Sequence, residues 1–275
     1  MKQAVFAIKD AHKRAGHGDT TVKMHRLWIV LNSLEKNSVK RPRRLGVTVQ
    51  MIKWLGKQMA SGAESMGELK VDCRMIHAAV VTAWFFMLQA REFSDSSGVD
   101  QEMIVRGQDV SLTTRGLADE NDPQEVTLQF RKTKADQEAF GTCKTMLKTE
   151  AEFVCVVTAL HRLREVAPRR FGRGPESHLP LFRWASGPVI KRLEVQNLLQ
   201  RAARALGLPA ERFQSHSLRI GGASALYQAT GEIEVVKRTG RWTSSAVQRY
   251  LHDSGDVLSG LARKMANVDQ HVHYT

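Results

Sequence analysis

Between Ser215 and His252 the chain reads SHSLRIGGASALYQATGEIEVVKRTGRWTSSAVQRYLH. His216 and Arg219 stand three apart, a Gly221-Gly222 pair follows, then Gly240-Arg241-Trp242, and Tyr250 comes eight residues after Trp242. The spacing of three puts the imidazole and the guanidinium on one face of a helix. With an indole donor and a phenol close behind, the set suits attack on a phosphodiester. Taken singly, each member is better explained by packing, since a histidine near a helix start or a half-buried tyrosine is more often an ordinary structural residue. The order His-x-x-Arg, Trp, Tyr is what gives the stretch chemical meaning.

The elements that position this set are mainly helical. The stretch itself reads as helices over roughly 216–229 and 232–240, with a shorter one near 245–252. Upstream, the helical period in Val5, Phe6, Ile8 and Ala11, and again in Leu27, Trp28, Val30, Leu31 and Leu34, predicts two helices within residues 1–40, broken at Gly16-His17-Gly18-Asp19. Two helices cannot bury both faces alone, so this piece looks incomplete or docks on something else. The polar, basic connection at 36–46 separates it from the rest, and Pro42 disfavours helix at Arg41. Val49, Ile52, Trp54 and Leu55 predict another helix that ends near Ser61-Gly62. Met75 to Leu88, MIHAAVVTAWFFML, is apolar nearly all round, the signature of a helix buried in a large core. The alternation in Val110-Ser111-Leu112 and in Val126 to Phe130 predicts strands, with a third near Cys143 to Leu147 completing an antiparallel sheet. Helices over 154–165 and around Leu193, Val195, Leu198 and Leu199 follow.

Composition bounds the partners. The 275 residues hold 41 Lys plus Arg against 28 Asp plus Glu, a net charge of +13, and 42% are hydrophobic. A core is therefore attainable, and a basic chain of this kind most often meets a polyanion, nucleic acid above all. Cys73, Cys143 and Cys155 share no metal-ligand spacing and leave one thiol over in any disulfide scheme, which fits a reducing compartment. The sequence has no apolar run long enough to span a membrane and no apolar core of a secretory leader. Lys40-Arg41-Pro42-Arg43-Arg44 is a short basic cluster of the kind found in nuclear addresses. The expected location is intracellular, nuclear in a eukaryote and cytoplasmic otherwise.

In their order, His216, Arg219, Trp242 and Tyr250 resemble the tyrosine recombinase (phage integrase) family. The wording HSLRIGGASAL and GRWTSSAVQRYLH is most similar to the recombinases of DIRS-type mobile elements. The subgroup's basic turn reads Lys-Thr-Asp-Gln, and here it is Lys134-Ala135-Asp136-Gln137, which makes Lys134 the candidate turn lysine ahead of Lys132. Its upstream box reads Phe-Phe-Met-Leu-Arg-Ala-Ser-Glu, and here it is Phe85-Phe86-Met87-Leu88-Gln89-Ala90-Arg91-Glu92. The first catalytic arginine thus falls on Gln89. Arg91 lies two residues on, about 200° around a helix from it, and serves only if the backbone leaves helical geometry there or the register shifts.

The resemblance implies a mainly α (α+β) chain: an integrase-type catalytic domain over 41–275 with a small antiparallel sheet, preceded over 1–40 by a remnant of a helical core-binding, DNA-clamp domain. It implies double-stranded DNA as partner, self-assembly on DNA as a dimer or tetramer, and no cofactor or metal. Tyr250 is then the nucleophile, leaving a 3′-phosphotyrosine and a free 5′-hydroxyl, and Lys134 the acid that protonates the leaving oxygen. His216 acts in proton transfer with the tyrosine, Arg219 is the second arginine, and Trp242 donates from its indole. Two alternatives stand beside this reading. One is a catalytically inactive DNA-binding relative, suggested by Gln89. The other is a topoisomerase-like enzyme that relaxes DNA without a partner protomer.

Overall fold

The computed structural model describes residues 2–19, 21, 24–37, 42–62, 67–95, 101–114, 122–131, 141–242 and 247–248. The chain forms two compact units, Met1–Arg43 and Arg44–Thr275. In the first, helices α1 (Lys2–Arg14) and α2 (His25–Asn37) meet through the Phe6 and Trp28 rings, 5.5 Å apart. Asp19 orders the turn between them: its carboxylate accepts from the Thr21 backbone at 3.0 Å and pairs with Lys9 at 2.5 Å. Phe6, Ile8, Met24, Ile29, Val30 and Leu34 stay exposed, so two helices leave much apolar surface uncovered.

The second unit is built on α4 (Glu68–Phe85), whose Met75, Ala78, Val81 and Ala83 are buried on all sides. A helix apolar all round must be enclosed, and α3 (Val49–Gly62) and α6 (Val156–Val166) do so. A short helix α5 (Ala90–Phe93) follows α4. The sheet is antiparallel in the order β1 (Val110–Thr113), β2 (Glu125–Phe130), β3 (Thr142–Leu147), with Val110 opposite Leu128 and Leu128 opposite Lys144. Val126, Leu128 and Phe130 face the core, following the period of two in the sequence. Next come α7 (Arg192–Ala205), α8 (Ser217–Thr230) and α9 (Ile233–Gly240). The fold is thus mostly helical with one small three-stranded sheet. The helix expected near 245–252 lies outside the described residues except for Val247 and Gln248.

The Gly221-Gly222 pair is explained by packing. A Cβ at Gly221 would sit 2.1 Å from the Val47 carbonyl oxygen, and one at Gly222 would sit 2.0 Å from that of Trp84. Only glycine lets α8 approach the end of α4 and the backbone at Val47 this closely. Trp84 Nε1 donates to Val47 O at 2.9 Å and fixes the same junction. The three cysteines are free thiols. Among the described residues no helix is long and apolar enough to cross a membrane.

Candidate active site

Four pieces of backbone meet at the N-terminal end of α8. The first is the end of α4. The sequence box around Gln89 is not one continuous helix. Helix α4 stops at Phe85, Leu88 N bonds back to Ala83 O at 2.9 Å, and Met87 takes the left-handed conformation with φ 49°. This is the geometry of a Schellman cap, in which glycine is usual; a non-glycine residue there costs about 1–2 kcal/mol. The buried Met87 side chain packs with Ala223, Val236 and Val247. Gln89 is then extended (φ −74°, ψ 151°) and caps α5, with its backbone N–H donating to Glu92 Oε2 at 2.7 Å. The separation of about 200° expected between Gln89 and Arg91 therefore does not apply, because the two do not share a helix. Both side chains are half-buried.

The second piece is the start of α8. Ser217 Oγ accepts from Gln214 N at 3.0 Å, and Ser217 O accepts from Val47 N at 2.9 Å. His216 sits at the N-cap, one turn before Arg219. Burial first, then the positive charges of Arg219, Arg44 and Arg192, depress the His216 imidazole to a pKa of about 4. It is therefore neutral near pH 7, able to accept a proton, and an arriving anion would draw it back toward its ordinary value.

The third piece is the end of α9. Arg241 takes the left-handed conformation there, with φ 60°. Gly240 lacks a side chain where a Cβ would lie 1.8 Å from the Trp242 ring, so the indole folds back over it. Arg219 then unites the pieces. Its Nη1 donates to Met87 O, its Nη2 donates to Gly240 O at 2.7 Å, and its Cζ lies 4.0 Å from the Trp242 ring centroid. One guanidinium thus staples two left-handed helix caps that are 153 residues apart in the chain. Arg219 is 4% exposed, so this pair of bonds is made out of water, where charge-assisted bonds are strongest.

Sequence reasoning missed a second link between the same loops. Arg241 Nη2 pairs with Glu92 Oε2 at 2.7 Å, with side-chain exposures of 7% and 2%. Its guanidinium also lies 3.5 Å over the Phe130 ring, at the end of β2, and its Nη1 is buried with no hydrogen-bond partner among the described residues. Arg241 is visible in Gly-Arg-Trp, but nothing in the sequence pairs it with Glu92. Arg192 and Arg44 were likewise missed, since exposed arginines in a basic chain carry no distinguishing pattern. The fourth piece is β2 itself, which runs into the basic turn. Arg131, the first residue beyond it, is held by Asp109 at 2.9 Å and Ile104 O at 2.7 Å. Lys134 and Tyr250 lie outside the described residues.

The structure thus brings together His216, Arg219, Trp242 and the Gln89–Arg91 segment. Solved structures with the same fold include XerH site-specific recombinase bound to palindromic difH substrate in a post-cleavage complex, with TM-score 0.54 and 12% identity, covering 82% of this chain and 54% of that one. XerH bound to difH substrate in a pre-cleavage complex matches with TM-score 0.51 and 14% identity, covering 84% of this chain and 56% of that one. The chain spans about half the length of these recombinase chains. No protein-family model and no curated protein matches the sequence. The common property at this level of identity is the fold, that of the catalytic domain of tyrosine recombinases.

Proposed function

We propose that this chain binds double-stranded DNA and cuts and rejoins its strands through a covalent 3′-phosphotyrosine at Tyr250. The observation that supports this most is the Arg219 staple. It draws the His-x-x-Arg turn, the Gly-Arg-Trp cap and the Gln89 box into one basic centre, in a fold shared with a recombinase solved on DNA.

In this reading the phenol oxygen of Tyr250 attacks phosphorus, the bond from phosphorus to the 5′-oxygen breaks, and the 3′-phosphate stays on the tyrosine. His216, neutral beforehand, accepts the phenolic proton. Lys134 gives a proton to the departing 5′-oxygen. Arg219 and Trp242 face the charge that gathers on the non-bridging oxygens. Bond energy is kept in the phosphotyrosine, so rejoining is the reverse attack by a 5′-hydroxyl. The wording of the motifs favours a recombinase of the DIRS type, working as an assembly on DNA in recombination or integration. The unit Met1–Arg43 is read as part of a DNA clamp.

A second reading, an inactive DNA-binding relative, is favoured by one observation: an uncharged amide, Gln89, stands where the resemblance expects an arginine. The test is a duplex with a nick beside the cleavage position, from which the short 5′-hydroxyl fragment diffuses away and traps the intermediate. Covalent protein–DNA adduct is the expected result. DNA binding without adduct on any substrate supports the inactive relative, and relaxation of supercoiled plasmid without strand exchange supports a topoisomerase-like enzyme.

A further inference from the structure

We propose that Arg192 is a phosphate-binding residue of this site, placed to grip the DNA backbone beside His216. The proposal rests on the DNA-binding reading above and adds to it a residue that the motifs do not contain.

The position of Arg192 is fixed at both ends. Its backbone N–H donates to Asp95 O at 3.2 Å, and Asp95 N donates to Ile190 O at 2.8 Å, so the start of α7 is tied to the segment just after α5. Its side chain reaches the other way, with Nε donating to Ser215 Oγ at 3.1 Å. Ser215 is buried and immediately precedes His216. A guanidinium carries five N–H donors in a rigid fork, and one is used here. The four on Nη1 and Nη2 have no protein partner among the described residues, on a side chain that is exposed. The one anchored donor aims the rest, which is what a bidentate grip on a phosphate needs.

The surroundings favour an anion. Arg219 from α8, Arg44 from the segment before α3, and Arg192 from α7 act on His216, and all three are positive. The nearest acid on the same helix, Glu194, is occupied with Lys191 N at 2.7 Å and Trp184 Nε1 at 3.2 Å. An anion arriving beside His216 meets these positive charges, and phosphate is the anion the proposed site would take. A purely structural Arg192, tying α7 to α8 through Ser215, needs only its Nε and leaves the charge unused.

The experiment measures binding to a duplex oligonucleotide of mixed sequence across a range of salt. Arg192→Ala should weaken binding about tenfold and lower the slope of log affinity against log salt by about one, with an unchanged thermal midpoint. Arg192→Lys should keep the slope and recover part of the affinity. Arg192→Gln keeps an amide able to donate to Ser215 but no charge, and should behave as Arg192→Ala even if the alanine variant loosens α7. Wild-type protein that binds with the usual steep salt dependence while Arg192→Gln matches it in affinity and slope overturns the role of Arg192 alone. Wild-type protein that fails to bind DNA overturns the functional reading beneath it.

Discussion

At the scale of single residues, the site is defined by which charges are present, which are tied, and which is missing. Gln89 stands at the N-cap of α5, half-buried. A neutral amide there brings neither the charge nor the fork of an arginine. The break at Met87 removes the helical argument against Arg91, but the flanking Phe85-Phe86-Met87-Leu88 and Glu92 still place Gln89 in the arginine register. On that register Gln89→Arg should raise adduct yield by about a hundred- to a thousandfold, the usual worth of one oxyanion donor, while Arg91→Ala changes it little. The reverse pattern, with Arg91→Ala abolishing cleavage and Gln89→Arg neutral, would assign the first-arginine role to Arg91. His77 contributes to the response to acid alongside His216. His77 is 5% exposed, its Nε2 lies 3.0 Å from Phe153 O, and burial depresses it from 6.5 to about 4. Its folded pKa lies below its unfolded one, so the unfolded chain takes up the proton first. The stability His77 supports is fully present above about pH 6.5 and is lost as pH falls toward about 4, amounting to about 3 kcal/mol. Urea midpoints at pH 7 and 4.5 should differ less in His77→Gln than in wild-type protein, and equal differences would contradict this.

At the scale of elements, α8 is the part on which the site depends, and its approach to α4 is permitted by two glycines. Gly221→Ala puts a methyl 2.1 Å from the Val47 oxygen, a backbone atom that cannot swing aside. The helix must shift, at a cost of about 1–3 kcal/mol or more. Because Arg219 is two residues before Gly221, adduct yield should fall by more than the loss of folded protein accounts for. Yield that simply tracks the folded fraction would show that the helix position is not critical. The elements themselves were largely legible. The uninterrupted apolar run marks α4, the alternation marks β2, and α8 and α9 fall within about a residue or two of where their period places them. What could not be read was the break after Phe85, because no glycine or proline marks it. The left-handed cap is taken by Met87, whose side chain is held by packing against Val236 and Val247. The Glu92–Arg241 pair was also hidden, since its partners are 149 residues apart and no local pattern connects them. The Gly-Gly pair was visible, but its reason lies in a tertiary contact.

At the scale of the whole molecule, a net charge of +13, a helical catalytic fold and a basic centre at one helix end form a consistent whole. Helices α1 and α2 leave Phe6, Ile8, Ile29, Val30 and Leu34 exposed. If Met1–Arg43 is part of a DNA clamp, as proposed, adding a further helical domain upstream should raise DNA affinity beyond what a charge-matched unstructured tail achieves, and equal gains from both would contradict the clamp reading. The central claim is that this basic centre serves a tyrosine nucleophile. The most direct measurement compares wild-type protein with Tyr250→Phe on one nicked duplex, scoring covalent adduct and DNA binding together. Adduct is expected with the wild-type chain and none with Tyr250→Phe, at nearly equal binding, because only the phenolic oxygen is removed. Adduct that persists in Tyr250→Phe would contradict the claim.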